Sequence, residues 1–385
     1  MEKAIIESCD NYRIDRVINC VQKIFDQLGG ISSFVKPGMR VAIKPNLILP
    51  KKPDDAATTH PAIVKALAAL VQKAGGLVTI IESPGGPYNV SSLKRIYAFT
   101  EMDDAANETG AQLNFDLRVE KVNNPDARLV KFPKILKPLI DADLIINAAK
   151  LKTHGMMVFS GAVKNMFGSI AGMEKADYHL RFSQYESFAD CIIDVFLATK
   201  PQLNIIDGII AMEGDGPGSG VAKHLGVVIG SKSGFAADFA ALSLIGVDYR
   251  KVPIMKLAED RHLFSADNIE IEGVDIPSVK PDSFDVPAIG GGARKGLVTG
   301  IVNLIGKGFR PRPEILQDKC KLCGKCAELC PPKIISKSED NRMTIDYKKC
   351  IRCFCCNEFC PEKAVRIKRN VLGRLLEYKR TIADD

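Results

Sequence analysis

The sequence predicts an α/β protein in which a mainly parallel sheet carries helices on both faces, followed by a small, separate α+β domain. Short continuous apolar runs alternate with amphipathic helical patterns from the N-terminus to about residue 290, as strands and helices do in βαβ units. Turn signals bound each apolar run, which is typical of strands buried on both faces of a sheet. Nine of the twelve cysteines lie between residues 320 and 360 and mark the second domain.

The elements of the large domain follow one another in a regular order. A strand over Ala4–Glu7 precedes a helix over Ile14–Leu28 and a second strand over Arg40–Ile43. A helix over Pro61–Ala74 ends at Gly75, because glycine readily takes the backbone conformation that closes a helix. Further strands are predicted at Leu77–Ile81, Ala111–Phe115, Arg128–Phe132, Leu144–Ile146, Leu203–Ile206, Leu225–Ile229 and Asn268–Ile271.

Two copies of one cysteine pattern define the C-terminal domain. Each copy reads C-x2-C-x2-C-x3-C and is followed by proline. This is the spacing of a ferredoxin-like domain of the bacterial type, which binds two 4Fe–4S clusters. Three thiolates of one loop reach three irons of a cluster, and the fourth cysteine of each run serves the other cluster. We therefore expect one cluster on Cys320, Cys323, Cys326 and Cys360, and the other on Cys350, Cys353, Cys356 and Cys330.

Two other interpretations of the cysteines are less consistent with the sequence. A structural zinc site usually shows paired C-x2-C knuckles rather than two runs of four cysteines. A disulfide framework requires an oxidising compartment, and the N-terminal segment has no basic stretch followed by an apolar one that would indicate secretion. Cys355 is extra to the pattern and is expected to be a bystander thiol or a spare ligand. Core packing is expected for Cys9, Cys20 and Cys191.

Composition indicates a cytoplasmic protein with one large core and a small second one. The chain has 385 residues, of which 46% are apolar and 26% are charged, and this size supports both cores. No stretch approaches the ~18 uninterrupted apolar residues of a transmembrane helix. The basic residues are dispersed and form no stripe with aromatic residues, so nucleic-acid binding is not expected.

Four segments are predicted along the chain. Residues 1–290 form the α/β domain, and residues 291–313 form a linker that begins in a glycine-rich stretch. Residues 314–370 form the two-cluster domain. Residues 371–385 form a basic tail, which either docks on a partner or a membrane or packs its apolar side chains back on the protein. Packing on the protein is the more common behaviour of such a segment.

Polar side chains follow four of the predicted buried strands. The carboxyl ends of the strands in an open parallel sheet line the ligand crevice, so these side chains are candidates for a shared site. Several of them are lysines, which indicates an anionic ligand, and a helix start near residue 160 offers backbone N–H groups. The candidate ligand-binding residues are Lys44, Asn46, Glu82, Lys150, Lys152, Lys164, Asn165 and Asp207.

Two histidines are candidates for acid–base catalysis. His60 precedes a predicted helix, and His154 lies in a predicted loop that glycine follows; either is suited to proton transfer or metal binding. As alternatives, His60 caps its helix, and Glu82 and Asp207 accept N–H groups of their own loops. Structural roles are expected for His179, His224 and His262. The glycine-rich segment 214–220 matches neither standard nucleotide-binding template.

The strand-end motifs resemble those of a protein family catalogued as domain of unknown function 362, which often occurs fused to a ferredoxin domain. The resemblance covers residues 3–290, and the ferredoxin resemblance covers residues 312–370. It implies an iron–sulfur protein of anaerobic bacteria or archaea and gives no substrate. The motifs are Lys44-Pro-Asn-Leu, Thr59-His-Pro, Glu82-Ser-Pro-Gly-Gly, Lys152-Thr-His, Ser160-Gly-Ala-Val-Lys-Asn-Met-Phe-Gly and the glycine-rich segment after Asp207.

Two functional hypotheses follow. In the first, the protein is an oxidoreductase: a redox partner, either a ferredoxin or a reductase, supplies electrons that pass through two clusters to a small anionic substrate or cofactor. The lysines hold this anion, and His60 or His154 delivers a proton. In the second, the protein is a non-catalytic electron carrier or a redox-sensing binding protein, and the large domain docks a partner or ligand. Convergence of the polar residues on one closed pocket favours the first hypothesis.

Overall fold

The computed structural model describes residues 1–287 and 311–368. Most of the predicted linker and the whole basic tail lie outside these residues. The predicted α/β class is confirmed, because the first range contains a nine-stranded, mostly parallel sheet surrounded by helices. The second range contains two small antiparallel sheets. Within the two ranges, no helix has the length and apolar character needed to cross a membrane.

The strands of the large domain are β1 (Glu2–Ser8), β2 (Arg40–Pro45), β3 (Leu77–Ile80), β4 (Gln112–Leu113), β5 (Val119–Lys121), β6 (Lys134–Leu136), β7 (Leu144–His154), β8 (Val158–Ser160), β9 (Leu203–Glu213), β10 (Val221–Ser231) and β11 (Ile269–Gly273). Its helices are α1 (Ile14–Gln27), α2 (Pro61–Lys73), α3 (Val90–Phe99), α4 (Met102–Thr109), α5 (Lys137–Ile140), α6 (Ala162–Asn165), α7 (Glu174–Arg181), α8 (Tyr185–Thr199), α9 (Gly234–Leu244), α10 (Pro253–Asp260) and α11 (Ile276–Val279). Short 3₁₀ turns cover Ile31–Ser33, Pro53–Asp55, Met166–Ser169, Tyr249–Lys251 and Ala266–Asn268.

The C-terminal domain is built from short elements. Its strands are β12 (Arg312–Ile315), β13 (Ile335–Lys337), β14 (Met343–Ile345) and β15 (Val365–Lys368). Its helices are α12 (Lys325–Glu328) and α13 (Cys355–Glu358). The outer strands β12 and β15 pair with each other, as do β13 and β14. Each helix follows the second cysteine of its run, so the two cysteine runs have the same local fold.

The large sheet has the order β11-β1-β10-β9-β7-β2-β3-β4, with β8 attached to β7. Strand β10 runs antiparallel to both of its neighbours, and β8 runs antiparallel to β7. The remaining seven strands point in one direction. The carboxyl ends of β2, β3, β7 and β9 therefore meet at one edge of the sheet, which is where a parallel sheet places its ligands.

Helices cover both faces of this sheet, as the apolar strand patterns predict. In β1, Ile5 packs into a core with α1, α2 and α3. Its neighbours Ala4 and Ile6 point to the other face and pack into a core that includes α8, α9 and α10. Successive side chains of a strand alternate between the two faces of a sheet, so a strand that is apolar at consecutive positions must be covered twice.

Strands β7 and β9, like β10, are longer than the sequence predicts. Both β7 and β9 span eleven residues, so Lys150, Lys152 and His154 lie within β7 and Asp207 lies within β9, rather than in loops after shorter strands. The two strands pair beyond the apolar run, with a register shift between Lys150 and Lys152. These polar side chains are tolerated inside the strands because each has a buried polar partner there.

The predicted strand over Arg128–Phe132 is wrong. The backbone N–H groups of Arg128, Leu129 and Val130 donate instead to the Asp194 carboxylate of α8, at 3.1, 2.7 and 2.9 Å. Buried backbone donors need an acceptor, and a side chain replaces the neighbouring strand in this role. Asp194 also forms a buried ion pair of 2.8 Å with Arg261. The strand predicted at Ala111–Phe115 is present but covers Gln112–Leu113 alone.

The second cysteine run docks on the large domain. Phe354 is buried and belongs to the core beneath α8 and α9, although its backbone φ is 62°, a conformation that costs a phenylalanine strain. At the same place in the first run stands Gly324, with φ of 74°. A Cβ on Gly85 would collide with the ring of Phe359, so glycine at residue 85 makes room for the docked domain. The two domains therefore pack against each other through apolar side chains at these positions.

Replacing Asp194 with alanine should lower the free energy of unfolding by about 3–5 kcal/mol, because a buried ion pair loses one partner and backbone donors lose their acceptor. Urea unfolding followed by circular dichroism measures the change. The control D177A removes an exposed ion pair with Arg181 and should change the value by less than about 1 kcal/mol. Equal effects of the two substitutions would show that Asp194 has no special role.

Candidate functional site

A cavity of about 70 Å³ lies at the junction of the two domains. It has room for several water molecules or one small polyatomic ion, because a single water needs roughly 10–15 Å³. Among the large-domain residues, its walls include Asn46, Glu82, Ser83, Lys152, Ser160, Lys164, Asn165, Phe167, Lys175 and His179. From the C-terminal domain, the walls include Leu329, Cys355, Glu358 and Phe359.

A buried ion pair supports one side of the cavity. Lys44, in β2, lies 2.9 Å from a carboxylate oxygen of Glu82, which follows β3. Burial lowers the pKa of Lys44, and the adjacent Glu82 charge opposes that shift. Glu82 also accepts hydrogen bonds from the backbone N–H groups of Leu47 and Ser83, at 3.0 and 2.7 Å. Glu82 therefore acts both as the counter-charge of Lys44 and as an acceptor for backbone N–H groups of the loops. The second role is the alternative to ligand binding that the sequence left open.

A chain of amide side chains orients Lys152. The Lys152 ammonium donates to Asn46 Oδ1 at 2.7 Å, and Asn46 Nδ2 donates to Asn165 Oδ1 at 2.8 Å. Asn165 Nδ2 then donates to Asn147 Oδ1 at 2.7 Å, and Asn147 Nδ2 donates to Asn204 Oδ1 at 2.8 Å. A lysine ammonium can only donate hydrogen bonds, so its contact with Asn46 Oδ1 fixes which atom of each following amide is the donor and which is the acceptor. This network joins strands β7 and β9 to the segments that follow β2 and β8.

Two further lysines face the cavity from the segment after β8. Lys175 donates to Ser83 O, Ser83 Oγ and Ile170 O, at 2.8, 2.9 and 2.8 Å. All three acceptors are neutral. The Lys164 ammonium lies 5.8 Å from the centre of the Phe167 ring, and within the described residues it makes no ion pair at 4 Å. Its positive charge is therefore balanced by more distant groups only.

Burial governs the ionisation of these lysines. It lowers the pKa of Lys152 to about 7, with Glu358 opposing the shift. It also lowers the pKa of Lys175 to about 7, opposed by Glu82, and it lowers the pKa of Lys164. In the same way, burial raises the pKa of the Glu358 carboxyl, and the neighbouring lysines oppose this shift. Three lysines face a single unpaired carboxylate here, so the cavity has an excess of positive charge when the lysines are protonated.

Three predicted site residues lie in a separate network and do not line the cavity. Lys150 lies 2.9 Å from Asp207, and the hydroxyl of Tyr12 contacts both of them at 3.0 and 2.8 Å. The backbone N–H of His60 donates to Asp207 at 3.0 Å, and the His60 ring stacks on Tyr12. His60 Nδ1 caps α2 by accepting from Ala62 N–H at 3.1 Å, the alternative that the sequence offered. Burial lowers the pKa of His60 to about 4.

His154 contacts the C-terminal domain rather than the cavity. Its Nδ1 accepts hydrogen bonds from the backbone N–H groups of Met156 and Met157, both at 3.1 Å. The proton of the neutral ring therefore lies on Nε2. That nitrogen has no hydrogen-bond partner among the described residues and lies 3.8 Å from a Glu358 carboxylate oxygen. Burial, followed by the charge of Lys164, lowers the pKa of His154 well below its usual value, so the ring is neutral.

Four ionisable wall residues were not among the predicted site residues: Lys175, His179, Cys355 and Glu358. A structural role was expected for His179, yet the structure places it in the cavity wall. A comparison of the two cysteine runs would have drawn attention to residues 354–359, where the first run has Gly324, Lys325 and Leu329 and the second has Phe354, Cys355 and Phe359. The two phenylalanines of the second run indicate that this side of the run is covered by another part of the protein.

The predicted cluster ligands converge in two groups. Cys320, Cys323, Cys326 and Cys360 all line one small cavity of about 20 Å³, although Cys360 comes from the second run. In the other group, burial raises the pKa of Cys356 well above its usual value, with Cys353, Cys350 and Cys330 as the leading charged neighbours. Four thiolates grouped in this way repel one another, and the positive charge of the iron in a bound cluster would offset this repulsion. The residues present therefore fit the cofactor.

The two groups differ in exposure. Cys323 is exposed, whereas Cys353 and Cys356 are buried. The second group lies beside the large domain. Cys355 and Glu358, which flank Cys356 on helix α13, line the 70 Å³ cavity. A cluster in the first group would face solvent, and one in the second group would face the cavity.

The chain matches two family models and one relative of known sequence. A family model described as a domain of unknown function (DUF362) matches residues 41–243, and one described as a 4Fe-4S dicluster domain matches residues 312–361. The thylakoid-associated protein sll1697 of Synechocystis sp. (strain ATCC 27184 / PCC 6803 / Kazusa) is 30% identical over 257 residues, which cover 65% of this chain and 76% of that protein.

A solved structure, the lactate racemase apoprotein from Thermoanaerobacterium thermosaccharolyticum, resembles part of the chain. It shares 16% sequence identity with a TM-score of 0.40, over 63% of this chain and 56% of the racemase chain. The family matches together cover the large sheet except β1 and β11, the walls of the cavity and both cysteine runs. The chain therefore belongs to the family of the domain of unknown function 362, and its C-terminal part is an iron–sulfur domain of the 4Fe–4S ferredoxin type.

Proposed function

We propose that this protein is an oxidoreductase that passes electrons through two 4Fe–4S clusters to a small anion bound in the cavity between its domains. One observation carries this proposal: residues of the second cysteine run form a wall of a cavity whose other walls carry three lysines. Cys355 lies in that wall and is bonded in sequence to Cys356. A ligand in the cavity would therefore contact the residue next to a predicted cluster ligand, an arrangement that supports electron transfer between the two.

The two groups of cysteines provide the ligands of the two clusters. The first cluster uses Cys320, Cys323, Cys326 and Cys360, and the second uses Cys350, Cys353, Cys356 and Cys330. Each cluster accepts and donates one electron at a time. The exposed position of Cys323 makes the first cluster the place where a partner protein, a ferredoxin or a reductase, delivers electrons.

The cavity suits an anion that receives electrons in pairs, one electron from each cluster, with as many reduction cycles as its full reduction requires. Lys152, Lys164 and Lys175 supply positive charge, and Asn46 is fixed by its amide partners. Lys152 and Lys175 have a pKa of about 7, so each can donate a proton to the reduced product near neutral pH. These two lysines take the role that the sequence gave to His60 or His154, because neither histidine lines the cavity.

The crossed assignment of ligands predicts which substitutions remove the same cluster. C360A should lose or convert the same cluster as C323A, and C330A the same cluster as C350A. Iron analysis, expected at about eight irons in the unmodified protein, and the EPR spectra of the reduced variants measure this. C191A, in the large-domain core, should keep both clusters. An EPR spectrum of C360A that matches that of C350A would show that the ligands are not crossed.

Reoxidation by small anions tests the cavity. Protein photoreduced with deazaflavin is mixed anaerobically with nitrite, sulfite, selenite or pyruvate, and the loss of the reduced-cluster signal is followed. K164M should slow the active reaction about tenfold or more, because a hydrogen bond to a charged group contributes roughly 1.5–3 kcal/mol. Its EPR spectrum should be unchanged.

The matched control is K232M, which removes an exposed lysine beside Phe34 on the large domain. This substitution should leave the reoxidation rate unchanged. If none of the anions accepts electrons, or if K164M and K232M behave alike, the chain is an electron carrier without a reaction at the cavity.

The reaction should also become slower as pH rises. Lys152 and Lys175 are protonated below their pKa of about 7 and neutral above it, so the cavity loses positive charge over this range and binds an anion less tightly. The second-order rate constant for reoxidation should therefore fall between about pH 6 and pH 8, and K175M should show a smaller fall. A rate that rises with pH would contradict this. The charged groups that face these lysines are Lys44, Glu82, Lys150, Lys164 and Glu358.

A further inference from the structure

Three potential metal ligands meet in the wall of the cavity. One nitrogen of His179, the thiol sulfur of Cys355 and one carboxylate oxygen of Glu358 lie within 4.8 Å of one another, and all three side chains are buried. In a tetrahedral site with bonds of about 2.0–2.3 Å, the ligand atoms lie roughly 3.3–3.6 Å apart, so side-chain adjustments of about 1 Å bring the three atoms to a common centre. The group joins both domains, because His179 lies on α7 and the other two lie on α13.

The histidine of this group lacks the partner that a buried polar group requires. His179 is 6% exposed, and its Nδ1 makes no hydrogen bond to the described residues. Its ring stacks on Phe188 at 4.1 Å and meets Phe167 edge-on, so aromatic packing fixes its orientation. Burial lowers the pKa of His179 to about 3, which keeps the ring neutral, and neutral imidazole is the form that binds metals.

A second histidine supports the carboxylate. The Nε2–H of His154 faces Glu358 at 3.8 Å and is otherwise unpartnered in the described part of the chain. Carboxylates that bind metals are commonly held by a hydrogen bond from an outer group of this kind. A shift of less than an ångström would complete this bond when Glu358 binds an ion.

We propose that the cavity binds one divalent first-row transition-metal ion through His179, Cys355 and Glu358, with an open position that faces the cavity. This set of thiolate, imidazole and carboxylate suits zinc or ferrous iron rather than magnesium or calcium. The ion offsets the two negative charges of its ligands, so that the surrounding lysines remain free to attract an anion to the open position. The inference rests on the proposed function for the role of the cavity as a reaction site.

The first cysteine run lacks this site and provides a matched comparison. Lys325 stands where the second run has Cys355, and the exposed Glu328 stands where it has Glu358. A lysine cannot replace the thiolate as a ligand. Metal binding at the cavity is therefore a property of the second run alone.

Zinc binding to the full-length protein, purified anaerobically with its clusters intact, tests the proposal. Equilibrium dialysis against Zn²⁺ should show one ion beyond the cluster iron. X-ray absorption at the zinc edge should show one sulfur at about 2.3 Å, with nitrogen or oxygen at about 2.0–2.2 Å. The C355S variant should lose the sulfur contribution, and H154Q should bind about 10–100-fold more weakly. E328Q should bind as the unmodified protein does.

Two results would overturn the metal site. A zinc spectrum with four sulfurs would show that zinc had replaced cluster iron, and binding unaffected by C355S and H179Q would place the ion elsewhere. Iron content and EPR spectra of the variants show whether the clusters remain intact. The reoxidation assay is independent of this experiment: if anions reoxidise the protein while dialysis detects no zinc beyond the cluster iron, the proposed reaction stands and the metal site is disproved.

Discussion

The structure depends on the burial of lysine ammonium groups at the junction of two domains. Transfer of such a charge from water to a protein interior costs several kcal/mol unless partners compensate. Lys44 forms an ion pair with a carboxylate, and Lys152 donates hydrogen bonds to an amide and a carbonyl oxygen. Lys175 donates to three neutral acceptors. Lys164 has the weakest compensation, a nearby aromatic ring. Because the protein compensates some of these positive charges poorly, an anionic ligand is expected in the cavity. Its negative charge would supply the missing compensation.

The second cysteine run is specialised for contact with the large domain. Phe354 adopts a strained backbone conformation, and such strain persists only when the surrounding structure compensates for it. Burial of its ring in the large-domain core provides this compensation. The first run keeps glycine at the same point and carries the exposed Cys323. One duplicated unit thus has an inner face towards the cavity and an outer face towards solvent.

Much of the fold and less of the site could be predicted from the sequence. The apolar strands and the cysteine spacing are local signals, and they identified the sheet, the helices on both faces and the convergence of Cys360 with the first run. The length of β7 could not be predicted, because its polar residues are stabilised by partners on β9 and on loops distant in sequence. His179 and Glu358 were missed for the same reason: their proximity exists only after two separately encoded domains have docked. The strand predicted at Arg128–Phe132 does not form, because the Asp194 carboxylate accepts the backbone hydrogen bonds that a neighbouring strand would otherwise accept.

In the proposed reaction, the wall that α13 shares with the cavity would couple ligand affinity to oxidation state. Each electron that reaches the inner cluster adds one negative charge beside the cavity, which weakens the hold of the lysines on an anion. Thermodynamic linkage requires the reverse effect to be equal, so a bound anion lowers the reduction potential of that cluster by the same free energy. An anion would therefore bind most tightly to the oxidised protein, and reduction would itself promote the departure of a negatively charged product.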